Sequence, residues 1–151
     1  PHGVLHAMGP GILLAEVQEP EDLSILLEWE GFDLDGEKDG HLDIGFELAL
    51  SAVEASARSH ANIESLIRRG VVDANALPEE ASAFFRLDKV DTHQSFPAGF
   101  AILIALDGPV HLVMNDGEQQ ELAQGTTTLI PYAAGGYRVE GSALVARPPL
   151  P

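Results

Sequence analysis

The sequence predicts a mainly β protein, a small sandwich or barrel, with a short helical segment in its middle. Three observations carry this. From Phe84 to the end, short β-forming runs are broken by Gly, Pro and Asp every eight to twelve residues. Phe100 to Leu106 is a continuous apolar run, as expected of a strand buried on both faces. Asn115-Asp116-Gly117 lies between two such runs and reads as a hairpin turn.

Around these anchors the other strands of the C-terminal half fall into place. Phe84 to Val90 alternates in part, and Val110 to Met114 follows the break at Gly108-Pro109. Gln119 to Leu122, Thr126 to Ile130, Tyr137 to Glu140 and Ser142 to Arg147 complete the set. His93 falls in a polar loop before Phe96-Pro97 and is expected exposed. His111 alternates with Val110 and Leu112, so it faces away from them. Ala133-Ala134-Gly135-Gly136 has no following helix, so it reads as a plain turn rather than a phosphate cradle.

The middle of the chain changes period. Phe46, Leu50, Val53 and Ala57 recur at three- to four-residue spacing, which predicts a helix to about Ser59. A second helix is expected over Ile63 to Arg69, capped by Ser59 or Asn62 and stopped by Gly70. Leu77-Pro78-Glu79-Glu80 opens a further short turn. Ahead of these helices, Gly31 to Gly40 is a loop by composition. Its Asp35-x-Glu37-x-Asp39-Gly40 imitates the start of a calcium loop, but the twelfth position is Phe46 where a bidentate glutamate is required, so the segment reads as a solvated acidic turn. His41 and His60 flank the helical region as surface or capping histidines.

The first thirty residues carry the chemistry. Pro1-His2-Gly3-Val4-Leu5-His6 has the spacing Pro-x-Gly-x-x-His, in which Pro1 fixes φ and Gly3 permits a backbone conformation closed to other residues. The apolar run Gly11 to Ala15 reads as a buried strand, with Glu16 at its end. A strand-borne neutral imidazole such as His6 suits zinc, although a zinc site takes three or four ligands. Leu23, Ile25 and Leu27 suggest a further strand, with Leu26 as core or pocket wall and Trp29 packing between modules.

This opening resembles the second sequence motif of the cupin superfamily. The longer string His6-Ala7-Met8-Gly9, Leu14-Ala15-Glu16-Val17-Gln18, Asp22 and Trp29 is similar to the type I mannose-6-phosphate isomerases. The resemblance implies a cupin-like jelly-roll or β-barrel and an aldose–ketose isomerase interconverting mannose 6-phosphate and fructose 6-phosphate. It implies one zinc ion with His6 as a ligand, and Glu16 in the active site as the catalytic candidate. The family's other ligands lie upstream of this motif, so the resemblance makes this chain the C-terminal part and gives it an upstream segment or another copy as partner. The family's phosphate-binding arginine falls on Leu26, and no Arg or Lys occurs from Pro1 to Glu37. That departure motivates an alternative, a non-catalytic sugar or sugar-phosphate binder. The resemblance divides the chain into the end of a metal-binding domain (1–30), an acidic loop and helical segment (31–83), and a degenerate cupin-like β domain (84–151). In the last, Gly125 and Pro131 echo the opening motif, but the histidine position is Gly136. This half is therefore expected to lack metal and to serve structure or association.

Composition narrows the partners. The net charge is −16, with thirteen acidic residues from Glu16 to Glu54 against Lys38 alone, which opposes nucleic acid and anionic membrane surfaces. Cysteine is absent, which removes disulfides and thiolate sites and fits a reducing cytoplasm. No apolar run is long enough for a transmembrane helix, and no signal peptide is visible.

Overall fold

Two strands, β4 (Ala101–Met114) and β7 (Tyr137–Arg147), form the spine of the structure, a computed structural model that describes residues 3–18 and 24–150. The chain divides into two compact units, Pro1–Ser59 and His60–Pro151. The second holds the whole sheet. Its other strands are β1 (Ala74–Asn75), β2 (Arg86–Val90), β3 (His93–Phe96), β5 (Gln119–Leu122) and β6 (Thr127–Ile130). All pairings are antiparallel, in the order β1-β2-β7-β4-β5, with β3 also on β7 and β6 also on β4.

Each long strand serves two halves of the sheet. The start of β4 pairs with β6 and the end of β7, and its end pairs with β5 and the start of β7. Between the halves the ladder is irregular. Ala105 faces Ala143, Asp107 faces Ser142 and His111 faces Glu140, so six steps on β4 match three on β7. The odd excess reverses the parity of β4: Ala101, Leu103 and Ala105 point inward before it, Val110 and Leu112 after it. On β7 Gly141 sits at the bend with φ +107, and a Cβ there would press on the Pro109 carbonyl. The expected break at Gly108-Pro109 is thus a bulge within one strand, and Tyr137–Glu140 and Ser142–Arg147 are likewise one strand.

The bend folds the sheet onto itself. Ten residues of extended chain span about 33 Å. Yet the Arg147 guanidinium lies 4.9 Å from the centre of the Phe96 ring, which stacks at 5.2 Å on Tyr137, at the far end of the same strand. The inward residues of both halves therefore form one core, including Val90, Leu103, Val110, Leu112, Leu122, Ile130, Val139 and Val145. The run from Phe100 is not buried on both faces: Phe100 is 46% exposed and Ile102 and Ile104 are half-buried.

Two edge strands escape the sequence pattern. β1 is two residues long, and β3 contains His93, which is exposed as expected but lies on a strand rather than in a loop. The β2–β3 turn is fastened by Asp73, whose carboxylate accepts the Asp91 amide (2.9 Å), the Thr92 amide (3.1 Å) and the Thr92 hydroxyl. Those bonds, the hydroxyl's first, hold the Asp73 carboxyl below its ordinary pKa. Before the sheet lies α3 (His60–Leu66), three residues earlier than expected with Ser59 at its flank, and a 3-10 turn over Glu79–Ala83 joins β1 to β2.

In the first unit, α1 (Gly36–Asp39) lies inside the expected acidic loop, with Asp35 as N-cap accepting the Lys38 amide at 3.2 Å. The helix expected to run to Ser59 is α2 (Phe46–Ala49) plus a 3-10 turn over Leu50–Ala52. It stops because the Glu54 amide, which would continue the helix, donates instead to the Gly3 carbonyl at 2.8 Å. Trp29 stacks on Phe46 at 5.6 Å and fills the space where a Gly36 Cβ would stand, so it packs against the segment that follows the opening module. His41 caps as expected: it accepts the Gly45 amide at Nδ1 and donates from Nε2 to the Glu37 carbonyl, both at 3.0 Å.

Leu103→Ala is expected to cost about 2–5 kcal/mol in urea unfolding, and Leu129→Ala, at a 58% exposed position, less than about 0.5 kcal/mol. Asp73→Asn should lower Tm at neutral pH. The wild-type advantage is present above the ordinary aspartate pKa of 3.8 and lost as pH falls through the lowered folded value, so the two melting curves should converge in acid.

Candidate functional site

The described motif residues His6 and Glu16 of the opening segment are both on the surface. Gly3 takes φ +73, and a Cβ on it would collide with the Ala52 carbonyl, so the expected special turn is present. Pro1, His2, Asp22 and Leu23 lie outside the described residues. His6 is exposed, and its Nδ1 donates to the Val4 carbonyl at 3.1 Å, which leaves Nε2 facing outward as an acceptor. Glu16 is exposed.

The strand expected over Gly11 to Ala15 is not formed. The segment has no regular structure and makes no ladder, and Ile12, Leu13 and Leu14 are 62%, 81% and 52% exposed. No strand forms over residues 24–29 either, and Leu26, expected as core or pocket wall, is 40% exposed with its amide on the Gly40 carbonyl (2.8 Å). The sequence supplied the apolar pattern, but a strand also needs a neighbour to pair with, and the described residues provide none.

A zinc site requires three or four donors converging on one point. Among the described residues, no group of three or more His, Asp or Glu side chains is placed to hold a metal ion. His6 has one ring nitrogen, Nδ1, tied to a carbonyl, the arrangement that orients a histidine ligand. The described residues do not close a zinc centre around it.

In the second unit, the echo of the motif is a turn with its ligand position filled. Pro131 leads into a 3-10 turn over Tyr132–Ala134, and Gly135 takes φ +75. At Gly136, the counterpart of His6, a Cβ would meet the Asn115 side-chain amide at 2.5 Å and the Phe96 carbonyl at 3.3 Å. No histidine fits there without moving that wall.

The polar cluster that the structure does assemble lies inside the sheet. Arg86, Asp88 and Val90 share one face of β2, and Val145 and Arg147 share the matching face of β7. Asp88 is 6% exposed, and its Oδ2 accepts from Arg147 Nε at 2.9 Å and Nη2 at 2.5 Å. Arg147 in turn covers Phe96. Arg86, opposite Arg147 in the register, donates from Nε to the Pro148 carbonyl at 2.8 Å. Burial, then the charge of Arg147, pull the Arg86 guanidinium below its ordinary pKa. Tyr137 is 1% exposed, and neither its hydroxyl nor Gln94 Oε1 has a hydrogen-bond partner among the described residues. Burial pushes the Tyr137 phenol up to about 12; Asp88 adds to this, and Arg147 and Arg86 oppose it. Sequence reading missed this set because Asp88 and Arg147 are 59 positions apart and only the register brings them together.

The structure resembles solved cupin-type proteins. Mannose 6-phosphate isomerase from Salmonella typhimurium, solved with substrate and a zinc atom, matches with TM-score 0.52 and 14% identity, over 69% of this chain and 27% of that one. A cupin-2 domain containing protein from Shewanella frigidimarina matches with TM-score 0.39 and 14% identity, over 62% and 95% of the two chains. An RmlC-like cupin protein from Desulfovibrio desulfuricans matches with TM-score 0.38 and 15% identity, over 63% and 100%. No family model matches the sequence, and no curated protein matches it. At these identities the likeness is one of fold: the chain has a cupin-like, mainly β antiparallel architecture with few short helices. No described helix is long and apolar enough to cross a membrane.

Arg147→Met leaves Asp88 buried without its partner and is expected to cost about 3–5 kcal/mol. The chain has two tyrosines, and Tyr132 is 73% exposed. In a Tyr132→Phe background, phenolate absorbance should therefore report Tyr137 alone and rise only near pH 12. Because the folded pKa is raised, this phenol's contribution to stability is complete below the ordinary value of 10.0 and lost as pH climbs through about 12.

Proposed function

We propose that this chain is the C-terminal part of a cupin-type aldose–ketose isomerase that interconverts mannose 6-phosphate and fructose 6-phosphate. The observation that carries the reading is the motif string around His6 and Glu16, from Pro1-x-Gly3-x-x-His6 to Leu14-Ala15-Glu16-Val17-Gln18. The cupin-like architecture supports it, as does the fold likeness to an isomerase of that specificity.

In this reading the exposed run Ile12-Leu13-Leu14 is a strand whose ladder comes from a segment upstream or from another copy. Burying it there would recover the apolar contact that the described residues do not offer. The same association would supply the metal donors that are missing around His6. The residues described do not form a zinc centre by themselves, so His6 is assigned only the role of one neutral donor, oriented by its bond to the Val4 carbonyl. Glu16 is the candidate for moving a proton between C1 and C2 of the open-chain sugar, or for holding a substrate hydroxyl. Placement in the cytoplasm belongs to this reading, since sugar phosphates are intracellular metabolites and the chain has no cysteine to cross-link.

Leu26 favours a second reading. An anionic sugar phosphate needs a cation, and the expected position carries a leucine within a strongly acidic stretch. A cupin-like sugar or sugar-phosphate binder without turnover accommodates that departure. Turnover of mannose 6-phosphate by the longest native form of the protein, with and without chelator, separates the two. Activity lost on chelation, restored by zinc, and reduced at least about a hundredfold by His6→Ala and by Glu16→Gln is the expected result. Metal-loaded protein that binds mannose 6-phosphate without isomerising it would leave the binder as the correct reading.

A further inference from the structure

We propose that His41 is a pH-sensitive latch: its neutral ring holds the turn into α2 closed, and protonation releases that turn and loosens the packing around Trp29. The proposal does not rest on the isomerase reading, because it uses no residue of the His6 motif.

Both ring nitrogens of His41 are committed. A backbone amide can only donate, so the Gly45 N–H fixes Nδ1 as an acceptor at 3.0 Å. The ring proton therefore sits on Nε2, which donates to the Glu37 carbonyl at 3.0 Å. Only the neutral ring makes both bonds. A proton on Nδ1 would set one N–H against another and break the bond to Gly45. An asparagine or serine oxygen would accept that amide at any pH, whereas a histidine is an acceptor whose charge changes between about pH 5 and pH 8.

The turn that this bond closes is strained. Leu42 and Asp43 both take left-handed backbone, with φ +54 and +62, and Gly45 follows at +78. Non-glycine residues rarely adopt that region, and they stay in it only where their surroundings hold them. The Ile44 amide on the His41 carbonyl (3.1 Å) and the Gly45 amide on the His41 ring are the bonds that span the turn. Gly45 leads directly into α2, whose Phe46 meets the His41 ring edge-on at 5.1 Å and stacks on Trp29 at 5.6 Å. On the other side of His41, the Gly40 carbonyl accepts the Leu26 amide at 2.8 Å. The stretch from Leu26 to Trp29 is thus fastened through the two neighbours of the latch. When the Gly45 bond is lost the turn relaxes, and Phe46 moves with it.

The surrounding charges draw a protonated ring away. α1 carries Glu37 and Asp39 beside Lys38, the turn carries Asp43, α2 carries Glu47, and Glu28 and Glu30 flank Trp29. Among the described residues none of these carboxylates pairs with the ring. A charged ring loses its bond to Gly45 where it stands and gains a carboxylate partner by swinging out. The closed turn therefore belongs to the neutral ring and is lost as pH falls.

Trp29 is the single tryptophan of the chain, so acrylamide quenching of its fluorescence reads this packing in the full chain. Quenching should rise in one step between about pH 8 and about pH 5. Over the same step the Gly45 amide, corrected for its intrinsic exchange rate, should lose its protection. His41→Asn keeps an acceptor oxygen near the place of Nδ1 and has no charge to gain, so it should match the parent at pH 8 and stay flat to pH 5. His41→Lys has donors only, and at pH 8 it should show the quenching that the parent shows at pH 5. A parent without the step, or a step of equal size in His41→Asn, overturns the proposal. So does a His41→Lys variant that stays closed at pH 8. Unchanged protection of the Gly45 amide would also overturn it, since the ring would then have charged without releasing the turn.

Discussion

Everything in the second unit depends on the misregistered ladder between β4 and β7. A regular pair of that length would be a flat ribbon with one apolar face and no core to bury it in. Three extra residues on β4 and a left-handed glycine on β7 break the ribbon at mid-length and flip the parity of one strand but not the other. Ala105 and Val110 then face the same interior even though they are an odd number of residues apart. The short strands follow from this: β2 and β3 line the outer edge of β7, and β5 and β6 that of β4, each pair turning where the long strands bend. The bend also brings the two ends of β7 together through Phe96, something no straight strand permits.

The closed interior then imposes a cost on its polar members. Asp88 and Arg147 are tolerable there because two donors of one guanidinium meet one carboxylate oxygen, and a pair so placed is seldom better than a hydrophobic substitute. Stability therefore does not explain why the pair is present, and still less why a second arginine stands beside it and a phenol below it lacks an acceptor. Packing explains Phe96 and the ring of Tyr137, but not the hydroxyl.

How much of this the sequence discloses depends on the range of each constraint. Local chemistry was legible: the Asn115-Asp116-Gly117 hairpin, the strands at Gln119–Leu122 and ending at Ile130, the turn after Pro131, the capping role of His41 and the glycine conformation at Gly3 are where the residues place them. Composition misled where a competing partner decided the outcome. Gly108-Pro109 reads as a terminus, yet the ladder carries through it as a bulge. The helix toward Ser59 is cut short because Gly3, fifty-one residues before Glu54, takes its next amide. A four-residue helix hides in the acidic turn because Asp35 caps it. The inward set of Arg86, Asp88 and Arg147 was not legible at all: two residues on β2 and one on β7 look like ordinary surface charges until the register and the parity are known.

The same argument of range bears on His6 and Glu16. Their motif is local and survives in the sequence; the site they would belong to is not local. An apolar strand-former such as Ile12-Leu13-Leu14 gains by burial only when a ladder satisfies its backbone at the same time, for an unpaired strand in an apolar setting leaves its amides and carbonyls unmet. Exposed and unpaired, it is in the state that costs least in the absence of neighbours. A single imidazole is in the same position with respect to a metal, since one donor confers little affinity and the geometry comes from the others. If the proposed reading holds, the apolar run and His6 lack the same thing, adjacent strands bearing donors, and one association would supply both. That is why the metal content and the burial of residues 12–14 should change together or not at all.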